Sequence, residues 1–298
     1  MNPILRLAIL LFLPVAAGVF LRRCAFSRSL FALLRVLTTW IILPLIAFIY
    51  VGVLMPQQVA VLWGSVTAAV MGVTACFFFS SLATLGLPRE ERIALVLNSS
   101  FANVAHLGLP VVYIKLGSSA MPPAVLYAVT VAVLNLLLGT LLMHLLIAES
   151  PSLRHVFVQT FTFPAVTLLL LALFLVYLRA PLPQDFYTFF VDWIFPVFLL
   201  LLLLQVGYGL KVEFWRGYSK HLPVVGISRF LLSPLVTLTT CHLLGVTGSI
   251  SRASFYLSIM PPAFFNLILV QSLELDSRPY SFTIFVFTLL SFLLLLFL

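Results

Sequence analysis

Charge is what this sequence has least of. Of 298 residues, 16 are Lys or Arg and 8 are Asp or Glu. Charged residues therefore make up 8% of the chain, against about a quarter in a soluble domain. A surface so poor in charge cannot be solvated, which excludes an ordinary globular domain and a disordered segment alike. Cysteine is also scarce: Cys24, Cys76 and Cys241 lie in separate segments without a C-x-x-C pair, so neither a disulfide framework nor a zinc cluster is supported. The signatures H-E-x-x-H, G-x-S-x-G and G-x-x-x-x-G-K-[ST] are missing, as is any pair of intramembrane aspartates. Neither an enzyme nor a bound cofactor or metal is expected. The net charge of +8 is scattered over short segments instead of gathered on one face, so nucleic acid is not an expected partner either.

What is abundant is hydrocarbon. Hydrophobic residues make up 63% of the chain, with 28 Phe, and the mean hydropathy is +1.21. The apolar runs are long and continuous, as spanning helices of roughly 20 residues require, and do not alternate as barrel strands would. Breaks in hydropathy predict ten spans, at about 4–21, 30–53, 59–85, 93–116, 123–147, 158–178, 186–208, 222–244, 253–273 and 280–298. They form one membrane domain covering 1–298. Arg6 before an apolar stretch resembles a signal peptide, but Pro14 belongs to the repeat described next, so the segment is read as a retained first span.

Prolines carry the repeat. Pro14, Pro44 and Pro110 are spaced by 30 and 66 residues, and Pro164, Pro196 and Pro262 by 32 and 66. Each proline of one set falls in the corresponding span of the other half. Five spans per half is an odd number, so the second unit enters the membrane from the opposite side: an inverted repeat, 1–147 and 158–298. Lys and Arg number ten in the odd loops and four on the other side, which predicts cytoplasmic odd loops and both termini outside.

Spans four and nine hold the unusual chemistry. Span four contains Ser99, Asn103, His106 and Pro110, which return to nearly one helical face, with Gly108 beside the proline. Span nine contains Ser258, Pro261, Pro262 and Asn266. Two successive prolines leave carbonyls without donors where no water replaces them, which is tolerable only inside protein or beside a wet cavity. Paired breaks in corresponding spans are the pointer to a transport site, because half-helix N-termini offer N–H groups and a positive dipole end to an anion. Asn103, His106, Pro110, Pro261, Pro262 and Asn266 are the candidate substrate-binding residues. An asparagine can equally serve as an interhelical hydrogen bond, and His106 as a packing residue or as a proton-coupling group. Asn135, Gln205 and Gln271 read as interhelical glue, Asp192 as a lone carboxylate near a span end, and Arg229 either as a charge that attracts an anionic substrate or, the favoured reading, as a side chain that snorkels to the headgroups.

The stretch Asn103-Val-Ala-His-Leu-Gly-Leu-Pro110, followed by Gly117 and Asn135, resembles the N-x-G-F-x-G-L-P segment of the auxin efflux carrier family. Arg229-Phe-Leu-Leu-Ser-Pro234 and Met260-Pro-Pro-Ala-Phe-Phe-Asn266 resemble its second-half counterpart, the M-P-P-A-x-x-N element being the most specific. The resemblance implies an all-α fold of ten helices in two inverted five-helix repeats, with helices 4 and 9 broken and crossing at their prolines. It also implies a carrier of small organic anions, such as carboxylates or an auxin-like acid. In related carriers helices 1, 2, 6 and 7 form a scaffold, often dimeric, while helices 3–5 and 8–10 move elevator-fashion as a transport domain. The expected location is the plasma or inner membrane, and the expected partners are the anion, the bilayer and a second copy through the scaffold. The sequence departs from the family pattern at Ala105 and His106, and its central connection at 148–157 is short. Two other functions fit the same fold: a sodium-coupled bile-acid-type symporter, which the poverty of intramembrane carboxylates disfavours, and a non-transporting sensor or structural protein.

Overall fold

The structure, a computed structural model, describes residues 8–24, 27–146, 153–210, 222–271 and 276–298. Arg6, Lys211, Arg216 and Lys220 of the loop count, the first half of the central connection and the Gln271 side chain lie outside the described residues. The described chain is helical, with no strand beyond one isolated bridge. Its helices are α1 (Ile9–Leu21), α2 (Ser29–Gly52), α3 (Pro56–Ala83), α4 (Arg89–Ser100), α5 (Val104–Leu116), α6 (Ser118–Met143), α7 (Leu153–Phe161), α8 (Pro164–Tyr177), α9 (Gln184–Gly209), α10 (Leu222–Leu243), α11 (Gly248–Ser258), α12 (Phe264–Gln271) and α13 (Arg278–Phe297). Six of them, α2, α3, α6, α9, α10 and α13, are long and apolar enough to cross a bilayer. This is a membrane protein. Large apolar side chains such as Trp63, Phe78, Phe174, Trp193 and Leu243 stand exposed along it, as a lipid-facing surface requires.

The expected span from 158 is shorter than its hydropathy implied, because the chain turns at Thr162 and Phe163 between α7 and α8. Pro164 therefore opens a helix, where its missing N–H costs nothing. Prolines inside the long helices are accommodated differently. The N–H before Pro44, Pro110, Pro196 and Pro234 reaches back five residues, from Leu43 to Thr38, Leu109 to Val104, Phe195 to Phe190 and Ser233 to Ser228. Widening the turn in this way relieves the clash of the ring with the preceding carbonyl, so the helix continues past each proline.

Two helix pairs pack most extensively, α1 with α9 and α2 with α8. In the first pair a side chain on Gly18 would strike the Leu204 carbonyl, and one on Gly207 the Val15 carbonyl, so the two backbones touch. Gln205 of α9 donates to the Thr38 hydroxyl and, at 3.4 Å, to the Leu34 carbonyl of α2, the interhelical role expected of it. A second group gathers around α3, which packs on α4, α6 and α10, while α11 packs on α6 and α10 and α13 on α4.

Candidate functional site

The chain between α4 and α5 is non-helical at Phe101–Asn103, and that between α11 and α12 at 259–263. The two interruptions meet. The Asn103 N–H donates to the Pro261 carbonyl at 2.7 Å and the Ala263 N–H to the Phe101 carbonyl at 2.9 Å, an antiparallel bridge centred on Ala102 and Pro262. Backbone groups that neither broken helix could satisfy thus satisfy each other inside the protein.

The first interruption is not at Pro110, as the sequence suggested, but about two helical turns earlier. Pro110 sits buried within α5 behind its wide turn. Gly108 is helical at φ −65° and ψ −46°, and its lack of a side chain instead admits Leu257 and Met260 at the end of α11. The single polar face drawn through Ser99, Asn103, His106 and Pro110 is also lost, because the helix stops between Ser99 and Asn103. Pro110 and Pro262 are therefore not equivalent in structure: one rides inside a helix and the other forms the crossing.

Each interruption has two poles. The C-terminal ends of α4 and α11 converge on Arg229 of α10, which is 1% exposed. Its Nη2 donates to the Ser258 carbonyl at 2.6 Å, its Nε to the Met260 carbonyl at 3.2 Å, and its Nη1 to the Ser100 and Ser99 carbonyls at 3.2 and 3.4 Å. Ser258 would ordinarily be paired by the N–H four residues on, but that residue is Pro262. The guanidinium takes its place. The snorkelling expected of Arg229 is thus incorrect, since its head lies at the crossing and not at a membrane surface.

The opposite poles, the first turns of α5 and α12, border a cavity of about 110 Å³. Its walls include Asn103, Ala105 and His106 at the start of α5, Phe264 and Phe265 at the start of α12, and Asn135 of α6, closed by residues of α2 and by Phe163. The Val104 and Asn266 N–H groups turn back to the Ala102 and Ala263 carbonyls, while those of Ala105, His106, Phe264 and Phe265 have no carbonyl one turn back, and the positive ends of both helix dipoles border this space. The Asn103 Nδ2 and the Asn135 Oδ1 are buried without a hydrogen-bond partner. Farther along α2, the buried Tyr50 meets Tyr187, Phe190 and Phe195 edge to face, and Tyr113 of α5 meets Phe195.

Of the six candidate residues, Asn103 and His106 line the cavity, while Pro110, Pro261, Pro262 and Asn266 are not among its walls. Asn266 is fully buried and donates to the Leu97 carbonyl at 3.0 Å and to the Asn98 Oδ1 at 3.2 Å. Its Oδ1 accepts from the Asn135 Nδ2 at 3.1 Å. It ties α12 to α4 and orients the asparagine that does face the cavity. Sequence reasoning left Asn135 as glue. The signal that singles it out is local: Asn135–Gly139 is a wide turn with no proline to require it, a feature that recurs at functional positions.

Comparison with protein-family models finds no match to this chain, and comparison with curated proteins finds none either.

Proposed function

We propose that the protein is a secondary carrier that moves a small organic anion, such as a carboxylate or an auxin-like acid, by alternating access. The observation that carries this reading is the pair of helix N-termini bordering one cavity beside the crossing. An anion there gains two positive dipole ends and first-turn N–H donors without a lysine or arginine in the wall. Asn103 holds an unpaired amide Nδ2 that can donate to it, His106 offers a ring N–H, and the unpaired Asn135 Oδ1 accepts from a hydroxyl or other donor elsewhere on the same molecule. About 110 Å³ is roughly ten times what one water requires, which suits a small molecule. The apolar walls, with Phe163, Phe264 and Phe265, favour an acid that also has a hydrophobic part.

We read the broken pairs α4–α5 and α11–α12 as spans four and nine of a ten-span, two-repeat plan. The packing supports that plan: exchanging the halves carries the pair α1 and α9 onto α8 and α2, and the pair α4 and α13 onto α11 and α6. On this reading α1, α2, α8 and α9 form the scaffold, a second copy docks through it, and the remaining helices move. Both termini face out of a plasma or inner membrane, and residue 298 is then labelled by an impermeant thiol reagent from outside when replaced by cysteine. The auxin efflux carrier family remains the resemblance this mechanism fits best.

Purified protein in liposomes should take up at least one labelled mono- or dicarboxylate saturably, above empty vesicles. Failure with every acid tested, in protein that melts cooperatively, removes the reading in favour of a non-transporting subunit.

A further inference from the structure

We infer that the C-terminal poles of α4 and α11 form a cation seat, and that the Arg229 guanidinium is its resident, tethered cation. A helix C-terminus carries a partial charge of about −0.5, so two converging ends amount to about one negative charge. Four carbonyls from both ends receive all three guanidinium nitrogens. Among the described residues no carboxylate reaches the group. The titratable groups that act on it are the Cys76 thiol and the Tyr127 phenol. The charge of Arg229 is therefore balanced by backbone dipoles alone. Such a ring of carbonyls, in a protein that crosses two broken helices, is what a free sodium ion would otherwise need.

The seat has a consequence for coupling, which rests on the carrier reading: with the position permanently filled, anion movement needs no sodium at the crossing. Removing the side chain should create the missing site. Arg229→Ala should melt below wild type and regain roughly 3 °C or more with millimolar guanidinium. Sodium should give a smaller gain and choline none at matched ionic strength, while wild type ignores all three. An Arg229→Ala variant that responds to no small cation, or only as wild type does, overturns the seat.

Where that variant does not fold, Arg229→Lys and Arg229→Met decide. Lysine keeps the charge and should stay close to wild type, whereas methionine, of similar length but uncharged, should not. Equal loss in both overturns the seat. In liposomes, wild-type uptake should be the same in sodium and choline, and Arg229→Ala uptake should depend on an added cation. Sodium-dependent wild-type uptake overturns the coupling consequence. Absence of any uptake counts against the carrier reading alone, because the melting series judges the seat without transport.

Discussion

The two faces of the helix crossing are built from the same breaks and are finished in opposite ways. On the C-terminal face every exposed pole is met by the protein's own cation, with hydrogen bonds of 2.6–3.4 Å from one buried arginine. On the N-terminal face the first turns of α5 and α12 border empty volume, and two asparagine atoms lack partners. Buried polar groups are costly when unsatisfied. The Asn98 amide nitrogen and the Ser99 hydroxyl in the last turn of α4 also stay unpaired. The contrast therefore lies in the poles themselves: carbonyls met by a cation on one face, N–H groups beside empty volume on the other, a structural site against a binding site.

That contrast predicts a ranking. Arg229→Met should cause the largest loss of stability, about 3–5 kcal/mol, because it leaves carbonyls of both half-helices without a donor; unfolding in detergent followed by circular dichroism measures it. Gly207→Leu should cost about 1–3 kcal/mol or more, since the new side chain meets the α1 backbone. That loss should appear in melting without changing the dependence of binding on the acid used. Asn266→Ala should cost about 1–3 kcal/mol by leaving the Leu97 carbonyl and its asparagine partners short of bonds. Asn103→Ala reverses the pattern: stability should change by no more than about 0.5 kcal/mol, while anion binding weakens by about 0.5–1.5 kcal/mol, some two- to ten-fold. Equal effects of Asn103→Ala and Arg229→Met on melting would erase the distinction between the faces.

The smallest effect lies away from the crossing. Hydrogen bonds from Arg278 hold the Asp276 carboxyl below the ordinary carboxylate range. Its contribution is present above that range and fades as the pH falls through the depressed value. Both side chains are partly exposed, so Asp276→Asn should shift stability by less than about 0.5 kcal/mol.

The membrane class and most helices were legible because they depend on hydropathy alone. The paired breaks were legible too, since Pro261 and Pro262 cannot continue a helix in hydrocarbon. The position of the first break was not. Pro110 looks like a helix breaker in sequence, but a wide turn absorbs it, and the chain opens instead at Phe101–Asn103, where the partner strand of the bridge is 160 residues away in Pro262. Arg229 was misread for a related reason. Local hydropathy gives its depth along α10, whereas its partners come from α4 and α11, and only the tertiary crossing brings those carbonyls to it. The demand was nevertheless written in the sequence: Pro262 deprives Ser258 of its donor, and a buried carbonyl must find another.

The central claim is that the cavity at the N-terminal poles binds the anion. Its most direct test is equilibrium binding of the best transported labelled acid to purified wild type, Asn103→Ala, Asn135→Ala and Asp276→Asn, each verified as folded by melting. The account predicts that Asn103→Ala, which removes the unpaired donor, loses two- to ten-fold in affinity, that Asn135→Ala, whose free atom is an acceptor, loses affinity only for acids that also carry a hydroxyl or amide donor, and that Asp276→Asn, outside the cavity wall, retains wild-type affinity. Unchanged affinity in Asn103→Ala would contradict it.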